Sequence, residues 1–308
     1  MTGNTDRTPL HRTGEQPSEQ AFLDSYDFRD HPPFAVTVDV VVFTVRDGAL
    51  HVAVIERNEP PFIGRWALPG GFVRPDEDLA EAARRELAEE TKIRLVPDHL
   101  EQLRAYGRPD RDPRRGRPEH PGRIVTVAFW AIMAEPPEIR GGGDAADARF
   151  VPVADILRGD LKLAFDHREI IEDAHQRASD RLEYTTDAAR YCPPEFTISQ
   201  LRQVYEAVWE TELDHGNFQR KVRSEGFLVA LDKQVPSGES GGRPAALFSS
   251  PETRLLQQPL TSGRPTAKRQ PERSDADGYP AWLSGERSRP RVAAADPDPI
   301  GDPVAETD

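Results

Sequence analysis

The chain has 308 residues, with 53 acidic and 40 basic side chains, a formal net charge of −13 and a single cysteine, Cys192. One cysteine excludes an internal disulfide framework and a cysteine-based zinc site, and it is typical of a reducing compartment. The absence of an 18-residue apolar run and of a signal-peptide layout at Met1–Arg12 predicts a soluble cytoplasmic protein without a membrane span. The acidity argues at first against nucleic acid and for a cation or a small ligand as partner.

The two ends of the chain are polar. Residues 1–33 are poor in branched apolar groups, and residues 251–308 contain nine prolines among 58 residues. Such compositions do not bury enough apolar surface to offset the entropy lost on ordering. We therefore predict disordered ends and two folded domains, 34–160 and 161–250.

The first folded segment has strand patterns on both sides of a helix. Phe34–Val45 is rich in β-branched residues, and a turn at Arg46–Ala49 leads into Leu50–Ile55, which predicts a hairpin. Asp78–Glu90 has the strongest helix signal, and Ile124–Met133 predicts a further strand. Strands that surround one helix indicate an α/β or α+β fold.

The predicted helix carries a cluster of carboxylates. Glu86, Glu89 and Glu90 are three and four residues apart, so they project from one helix face. Clustered carboxylates repel one another unless a cation lies between them, and Mg²⁺ or Mn²⁺ prefers such oxygen ligands. Arg85 can bridge a neighbouring carboxylate. The alternative is a solvated acidic face, which is the commoner meaning of an isolated Glu-rich run.

The spacing around the helix favours a metal site. Gly71, five residues, Glu77, seven residues and the run Arg85-Glu86-Leu87-Ala88-Glu89-Glu90 resemble the signature of the Nudix hydrolases. Lys92 stands where the family's pattern has a glycine, and a non-glycine residue at a left-handed helix end costs about 1 kcal/mol. The resemblance implies a sandwich of mixed sheet with flanking helices that cleaves a nucleoside diphosphate linked to another group.

The same resemblance implies a catalytic set. Arg85 belongs to it, and the expected metal ligands are Glu86, Glu89 and Glu90, joined by a backbone carbonyl at Gly70 or Gly71, which would also contact substrate. A bound metal would neutralise pyrophosphate, lower the pKa of a water molecule and orient its attack on phosphorus.

The general base and the substrate contacts remain open at this point. The base is either one of the box glutamates or an acid of a later loop, for which the candidates are Asp110, Asp112 and Glu119. The run Arg111–Arg117 predicts a solvated loop, with contact to a diphosphate as the alternative. The triplet Gly141–Gly143 predicts a loop and not a phosphate cradle.

A proline suggests the substrate. Relatives of the Nudix family that act on ADP-ribose tend to carry a proline about sixteen residues after the signature, and Pro109 lies sixteen residues after Ile93. An ordinary turn is the alternative. Trp66, Tyr106 or Phe129 could stack on an adenine, although a lone aromatic residue more often belongs to the core.

The chain becomes helical after about residue 162. The predicted helices are Asp166–Tyr184, Ile198–Trp209 and Asn217–Arg223, and two strands, Gly226–Lys233 and Pro244–Phe248, follow. Helix, turn, helix and a two-stranded wing form a winged helix-turn-helix, whose second helix enters the major groove of DNA. His167 and His175, eight residues apart without a third ligand, are not expected to bind metal.

The second helix and the wing supply a small basic patch. The candidate DNA-binding residues are Asn217, Arg220, Lys221, Arg223 and Arg243. Residues 193–250 contain six basic and eight acidic side chains, so DNA binding would depend on this patch and would be sensitive to salt.

The C-terminal half resembles a regulator domain. Cys192–Thr197, Leu213–Val222 and Gly242–Ala245 are similar to segments of the Nudix-related transcriptional regulators, the NrtR group. This resemblance implies operator DNA and ADP-ribose as partners. A homodimer is expected because winged helices commonly read paired half-sites. The alternative is a plain ADP-ribose pyrophosphatase whose C-terminal domain mediates dimerisation or protein interaction.

Overall fold

The computed structural model describes residues 18–27, 31, 34–95, 99–114, 122–143, 145–236, 244–250 and 255–260. Within these ranges the helices are α1 (Glu19–Ser25), α2 (Leu79–Thr91), α3 (Val153–Arg158), α4 (His167–Tyr184), α5 (Ile198–Trp209) and α6 (His215–Glu225). The strands are β1 (Phe34–Arg46), β2 (Ala49–Arg57), β3 (Trp66–Ala67), β4 (Gly70–Phe72), β5 (Glu101–Tyr106), β6 (Arg123–Ile132), β7 (Ala145–Pro152), β8 (Val229–Val235) and β9 (Ala245–Ser249). None of these helices is long and apolar enough to cross a membrane.

Strands β1 to β7 form one mixed sheet. The main strand order is β3-β2-β1-β6-β5, with β4 paired to β1 and β7 paired to β2. Strand β1 runs parallel to β6 and antiparallel to β2 and β4. The predicted hairpin is confirmed: Asp47 and Gly48 both have positive φ, which suits the right-handed twist of the strands that they join.

Helix α2 packs on one face of this sheet. Its N-terminus is closed by a capping box in which Asp78 and Glu81 satisfy each other's backbone amides. Its buried residues Ala83 and Leu87 share a core cluster with Val38 of β1 and Phe129 of β6. The predicted mixed sheet with flanking helices is therefore confirmed.

Helix α4 packs on the other face of the sheet and continues into the C-terminal domain. Ile170 and Ala174 belong to the core cluster that includes Trp130 of β6 and also Tyr205 and Val208 of α5. One long helix thus contributes to the cores on both sides of the predicted domain boundary.

The C-terminal domain has the expected winged helix-turn-helix arrangement. Helix α5 begins with the predicted capping box between Thr197 and Gln200. The Tyr205 ring packs edge-on against Phe218 of α6, with a centroid separation of 5.3 Å. Strands β8 and β9 form the antiparallel wing, and Phe248 pairs with Phe196, which joins the wing to the helices.

Two short segments within the ends of the chain have regular structure or contacts with the folded domains. Residues Glu19–Ser25 form α1, although none of its residues is buried. Residues 255–260 pack back against the domain, with Leu256 and Leu260 buried and their amides donating to carbonyl oxygens of Tyr184 and Glu183 at 2.9 Å. The average composition of the tail did not predict that these two leucines pack against the end of α4.

Candidate functional site

A cleft of about 540 Å³ lies beside the α2 carboxylates. Predicted site residues that line it are Gly70, Gly71, Arg85, Glu86, Glu89 and Glu90. Strand β4 and helix α2 bring these residues together, because β4 contacts α2 while it pairs with β1. The spacing of the signature therefore corresponds to one wall of a real cleft.

Arg85 organises this wall. Its Nε and Nη2 donate to both carboxylate oxygens of Glu77 at 2.9 and 2.6 Å, and its Nη1 donates to Glu86 at 2.7 Å. The Arg85 hydrogen bond is the main reason why the pKa of Glu77 falls to about 2. Nη2 also donates to the Phe72 carbonyl oxygen at 3.1 Å, which ties α2 to β4. Arg85 thus fixes the carboxylates in place.

The two glycines permit close approach between β4 and the acidic side chains. A Cβ atom on Gly71 would lie 2.4 Å from Glu86 Oε1, so a side chain there would displace that carboxylate. The Gly70 amide donates to Glu90 Oε2 at 2.8 Å, and Glu90 is buried. Burial, with the neighbouring charge of Glu89, raises the pKa of Glu86 in spite of Arg85.

The donor set fits a hard divalent cation by its chemistry. Carboxylate oxygens are the ligands that such ions prefer, and the carboxylates of Glu86, Glu89 and Glu90 line the same cleft. As the side chains are placed, however, no group of three or more acidic, histidine or cysteine residues in the described part of the chain converges on a common point. Arg85 instead bridges Glu86 and Glu89, with 3.4 Å from Nη1 to Glu89 Oε2.

A buried polar network at the cleft was missed by the sequence analysis. Arg111, predicted to be solvated, has a side chain only 3% exposed, and its Nε and Nη2 donate to Asp166 at 3.0 and 2.8 Å. Its Nη2 also lies 3.6 Å from Asp39 of β1. Arg111 can be buried because its guanidinium pairs with the carboxylates of Asp39 and Asp166, which come from distant parts of the chain. The expectation of a solvated Arg111 side chain is therefore wrong.

His167 completes the network. Its Nδ1 accepts from the Leu68 amide at 2.8 Å, so the neutral ring carries its proton on Nε2, 3.3 Å from Asp39 Oδ1. Burial lowers the pKa of His167; the cations Arg111 and Arg57 lower it further, while Asp39 and Asp166 oppose the shift. His175, by contrast, hydrogen bonds to the Val208 carbonyl oxygen.

Stability should depend on pH through His167. The unfolded chain binds a proton near pH 6.5 that the folded chain does not bind, so the free energy of unfolding should fall as pH decreases below about 6.5. The contribution is at most about 1.4 kcal/mol per pH unit. Urea unfolding between pH 5 and 7.5 measures it, with His167→Gln as the comparison. An unchanged slope in the variant would refute this origin.

Two further arginine side chains line the cleft. Arg57 lies 5.0 Å and Arg114 5.4 Å from the centroid of the Phe165 ring, measured from Cζ. Burial, followed by the charge of Arg114, lowers the pKa of Arg57. Arg114 also lies 5.1 Å from the ring of Phe72. Two neighbouring guanidinium groups in a cleft that is also lined by carboxylates suit an anionic ligand that a cation bridges.

The three later acids that are candidates for the general base differ in their surroundings. Asp112 is buried in the cleft lining, against its prediction as part of a solvated loop, and burial alone would raise its pKa. Two-point contact with Arg114, at 3.0 and 2.6 Å, lowers the pKa instead. Asp110 is exposed, and Glu119 lies outside the described residues.

Two predicted substrate contacts do not reach the cleft. The ring of Trp66 lies 4.0 Å from Arg149 Cζ, and Pro109 lies in an exposed turn. Neither residue belongs to the cleft lining. Trp66 is held instead by strand pairing with Glu56 of β2, whose register sets the direction of its side chain.

The loop of Gly141–Gly143 lies in contact with Lys92 at the end of α2. Lys92 has the left-handed conformation expected at the end of α2, with φ of 65°. Its Nζ donates to the Glu89 carbonyl oxygen at 2.8 Å, and a Cβ atom on Gly142 would lie 2.3 Å from that Nζ. The loop therefore lies against the helix end beside Glu89.

Helix α6 presents the candidate DNA-binding residues. Asn217, Arg220, Lys221 and Arg223 are all exposed. Arg220 donates to Asn217 at 2.7 Å, whereas Arg223 lies 5.4 Å from the Phe248 ring of the wing. Arg243 lies outside the described residues.

Comparison with known proteins agrees with both halves of the structure. The NUDIX domain family matches residues 33–174, and the NrtR DNA-binding winged helix domain family matches residues 188–249. The chain is 34% identical over 233 residues, which are 75% of this chain and 88% of the relative, to an ADPR responsive transcriptional repressor, NtrR, of Acinetobacter baylyi.

Two further relatives cover different parts of the chain. An ADP-ribose pyrophosphatase of Methanocaldococcus jannaschii is 37% identical over 49% of this chain and 78% of its own length. The crystal structure of Shewanella oneidensis NrtR complexed with a 27mer DNA has a TM-score of 0.59 and 29% identity, and the match covers 73% of this chain and 99% of that one. On these matches, and with a Nudix cleft and a winged helix in one chain, the protein belongs to the NrtR family of Nudix-domain proteins.

Proposed function

We propose that this protein is a transcriptional repressor that binds operator DNA through its winged helix and responds to ADP-ribose bound in the Nudix cleft. The observation that carries the proposal is the presence, in one chain, of a cleft lined by acidic and cationic side chains and of an exposed basic face on α6. The Acinetobacter relative, which matches both domains, is named for the same response.

The cleft has complementary groups for a nucleoside diphosphate sugar. Arg57 and Arg114 offer positive charge to the diphosphate, and Glu86, Glu89 and Glu90 would hold Mg²⁺ or Mn²⁺ against it. The metal, when bound, supplies charge neutralisation and an activated water molecule. Arg85 positions Glu86 by its hydrogen bond.

DNA binding with and without the ligand tests the repressor function. The full-length chain should shift a fragment of its own promoter at low salt, and ADP-ribose should reverse the shift. Because winged helices often read paired half-sites, we expect two chains per operator, which light scattering of the complex measures. Absence of a shift at low salt would rule out the proposal.

A second activity, hydrolysis of ADP-ribose, is favoured by the complete set of box carboxylates. Glu89→Gln should lower metal-dependent release of AMP by a factor of about 10² or more, because it removes a negatively charged ligand of the metal. It should leave DNA binding in place. Glu138→Gln is the matched control, since that side chain is 91% exposed and outside the cleft lining. If wild-type protein leaves ADP-ribose intact, the cleft serves binding alone.

A further inference from the structure

We propose that Arg111 is the anion sensor of the cleft and that it acts as a latch on α4. A diphosphate in the cleft would take the Arg111 guanidinium from Asp166, and this would free the N-terminus of the helix that reaches the winged helix. The inference rests on the proposed function and adds the residues that couple its two sites.

Arg111 is placed to bind either partner. It lines the cleft together with Arg57 and Arg114, yet its side chain is almost fully buried. Two parallel hydrogen bonds, at 3.0 and 2.8 Å, join it to Asp166. The Nε–Nη2 edge that Asp166 occupies matches a phosphate as well as a carboxylate, so a phosphate that binds at this edge competes with Asp166 for the same two donors.

Helix α4 connects the latch to the DNA-binding domain. Asp166 directly precedes the helix, which has 18 residues and so spans roughly 27 Å. Further along the helix, His175 Nε2 lies 2.9 Å from the Val208 carbonyl oxygen, and Trp209 of α5 donates to the Ser179 carbonyl oxygen at 3.2 Å. A shift of the helix start therefore reaches α5 through direct contacts.

Competition for Arg111 would give the ligand a different affinity for the latched and unlatched states. A ligand changes the balance between two states only if it binds them with different affinity. A ligand that binds through the Nε–Nη2 edge of Arg111 excludes the contact with Asp166, so such a ligand favours the unlatched state. If the latched state is the one that binds DNA, the ligand weakens DNA binding without touching α6.

Asp166→Asn tests the latch, and Asp173→Asn is its matched control. Asp173 lies on the same helix and pairs with Arg104, also by more than one contact, but neither residue lines the cleft. We measure DNA affinity of the full-length protein with and without ADP-ribose, together with ADP-ribose affinity by calorimetry. Asp166→Asn should reduce the ratio of the two DNA affinities at least about fivefold without weakening ADP-ribose binding.

The outcomes separate the latch from the proposed function. A wild-type protein whose DNA affinity ignores ADP-ribose would overturn both. A wild-type protein that responds, together with an Asp166→Asn variant that responds equally, would overturn the latch alone, as would an equal loss in Asp173→Asn. If Asp166→Asn fails to fold, Arg111→Lys replaces it: it keeps the charge, loses the fork, and should weaken binding of ADP-ribose and of inorganic pyrophosphate about tenfold. Unchanged binding of both would refute the sensor.

Discussion

Gly70→Ala should destabilise the protein by about 3 kcal/mol, the upper end of the usual range for overpacking a core. An added Cβ atom would lie 2.1 Å from the Val38 carbonyl oxygen and 2.8 Å from Asp39 Oδ1. The first of these atoms belongs to the central strand, so it moves only if the pairing of β4 with β1 changes. Urea unfolding measures the loss through the transition midpoint.

The same substitution should also remove ligand binding, because the Gly70 amide holds Glu90 in the cleft wall. Gly107→Ala is the matched control, since its nearest neighbours would be the Val125 methyl groups at 3.6 Å or more. Gly71→Ala should separate the two effects, because its clash is with the movable side chain of Glu86: stability should change little and metal-dependent activity should fall. A Gly70→Ala protein as stable as Gly107→Ala would contradict the close approach.

The sequence predicted the acidic wall of the cleft because that wall is local. Glu86, Glu89 and Glu90 lie within one helix, and their spacing alone places them on one face. The buried polar network of Asp39, Arg111 and His167 could not be found in this way. Asp39, Arg111 and His167 are separated by more than fifty residues at each step, and their contact depends on the pairing of β1 and the packing of α4.

Local composition was misleading where long-range contacts decide burial. The run from Arg111 resembles a solvated loop, but Arg111 and Asp112 are buried because each is neutralised by an opposite charge. The reverse holds for Trp66, an aromatic residue expected at the ligand, which strand register turns toward Arg149. The departure at Lys92 was visible in the sequence, whereas the loop that accommodates it was not.

The net charge of −13 gives no indication of the local basic surface on α6 that is proposed to bind DNA. Arg220 and Lys221 are exposed on α6, next to Asn217, within a domain that carries a slight excess of acid. Such a domain has no general attraction for phosphate, so a few side chains should account for most of the affinity. Removal of these side chains should therefore have a large effect.

Replacing both Arg220 and Lys221 by alanine should weaken operator binding by about a hundredfold at low salt, on the order of tenfold for each charged contact. The slope of log affinity against log salt should fall by about two, because two phosphate contacts are lost. Fluorescence anisotropy over a salt series measures both quantities. ADP-ribose binding should stay unchanged, since neither residue lines the cleft.

Arg223→Ala offers a contrast on the same helix. Its guanidinium stacks on Phe248, so its loss should act through the wing and change the salt slope less than either neighbour. Lys162→Ala removes an exposed charge away from α6 and controls for net charge alone. If Lys162→Ala lowers the salt slope as much as a single α6 substitution, binding depends on the diffuse charge of the chain, and α6 is not the reading helix.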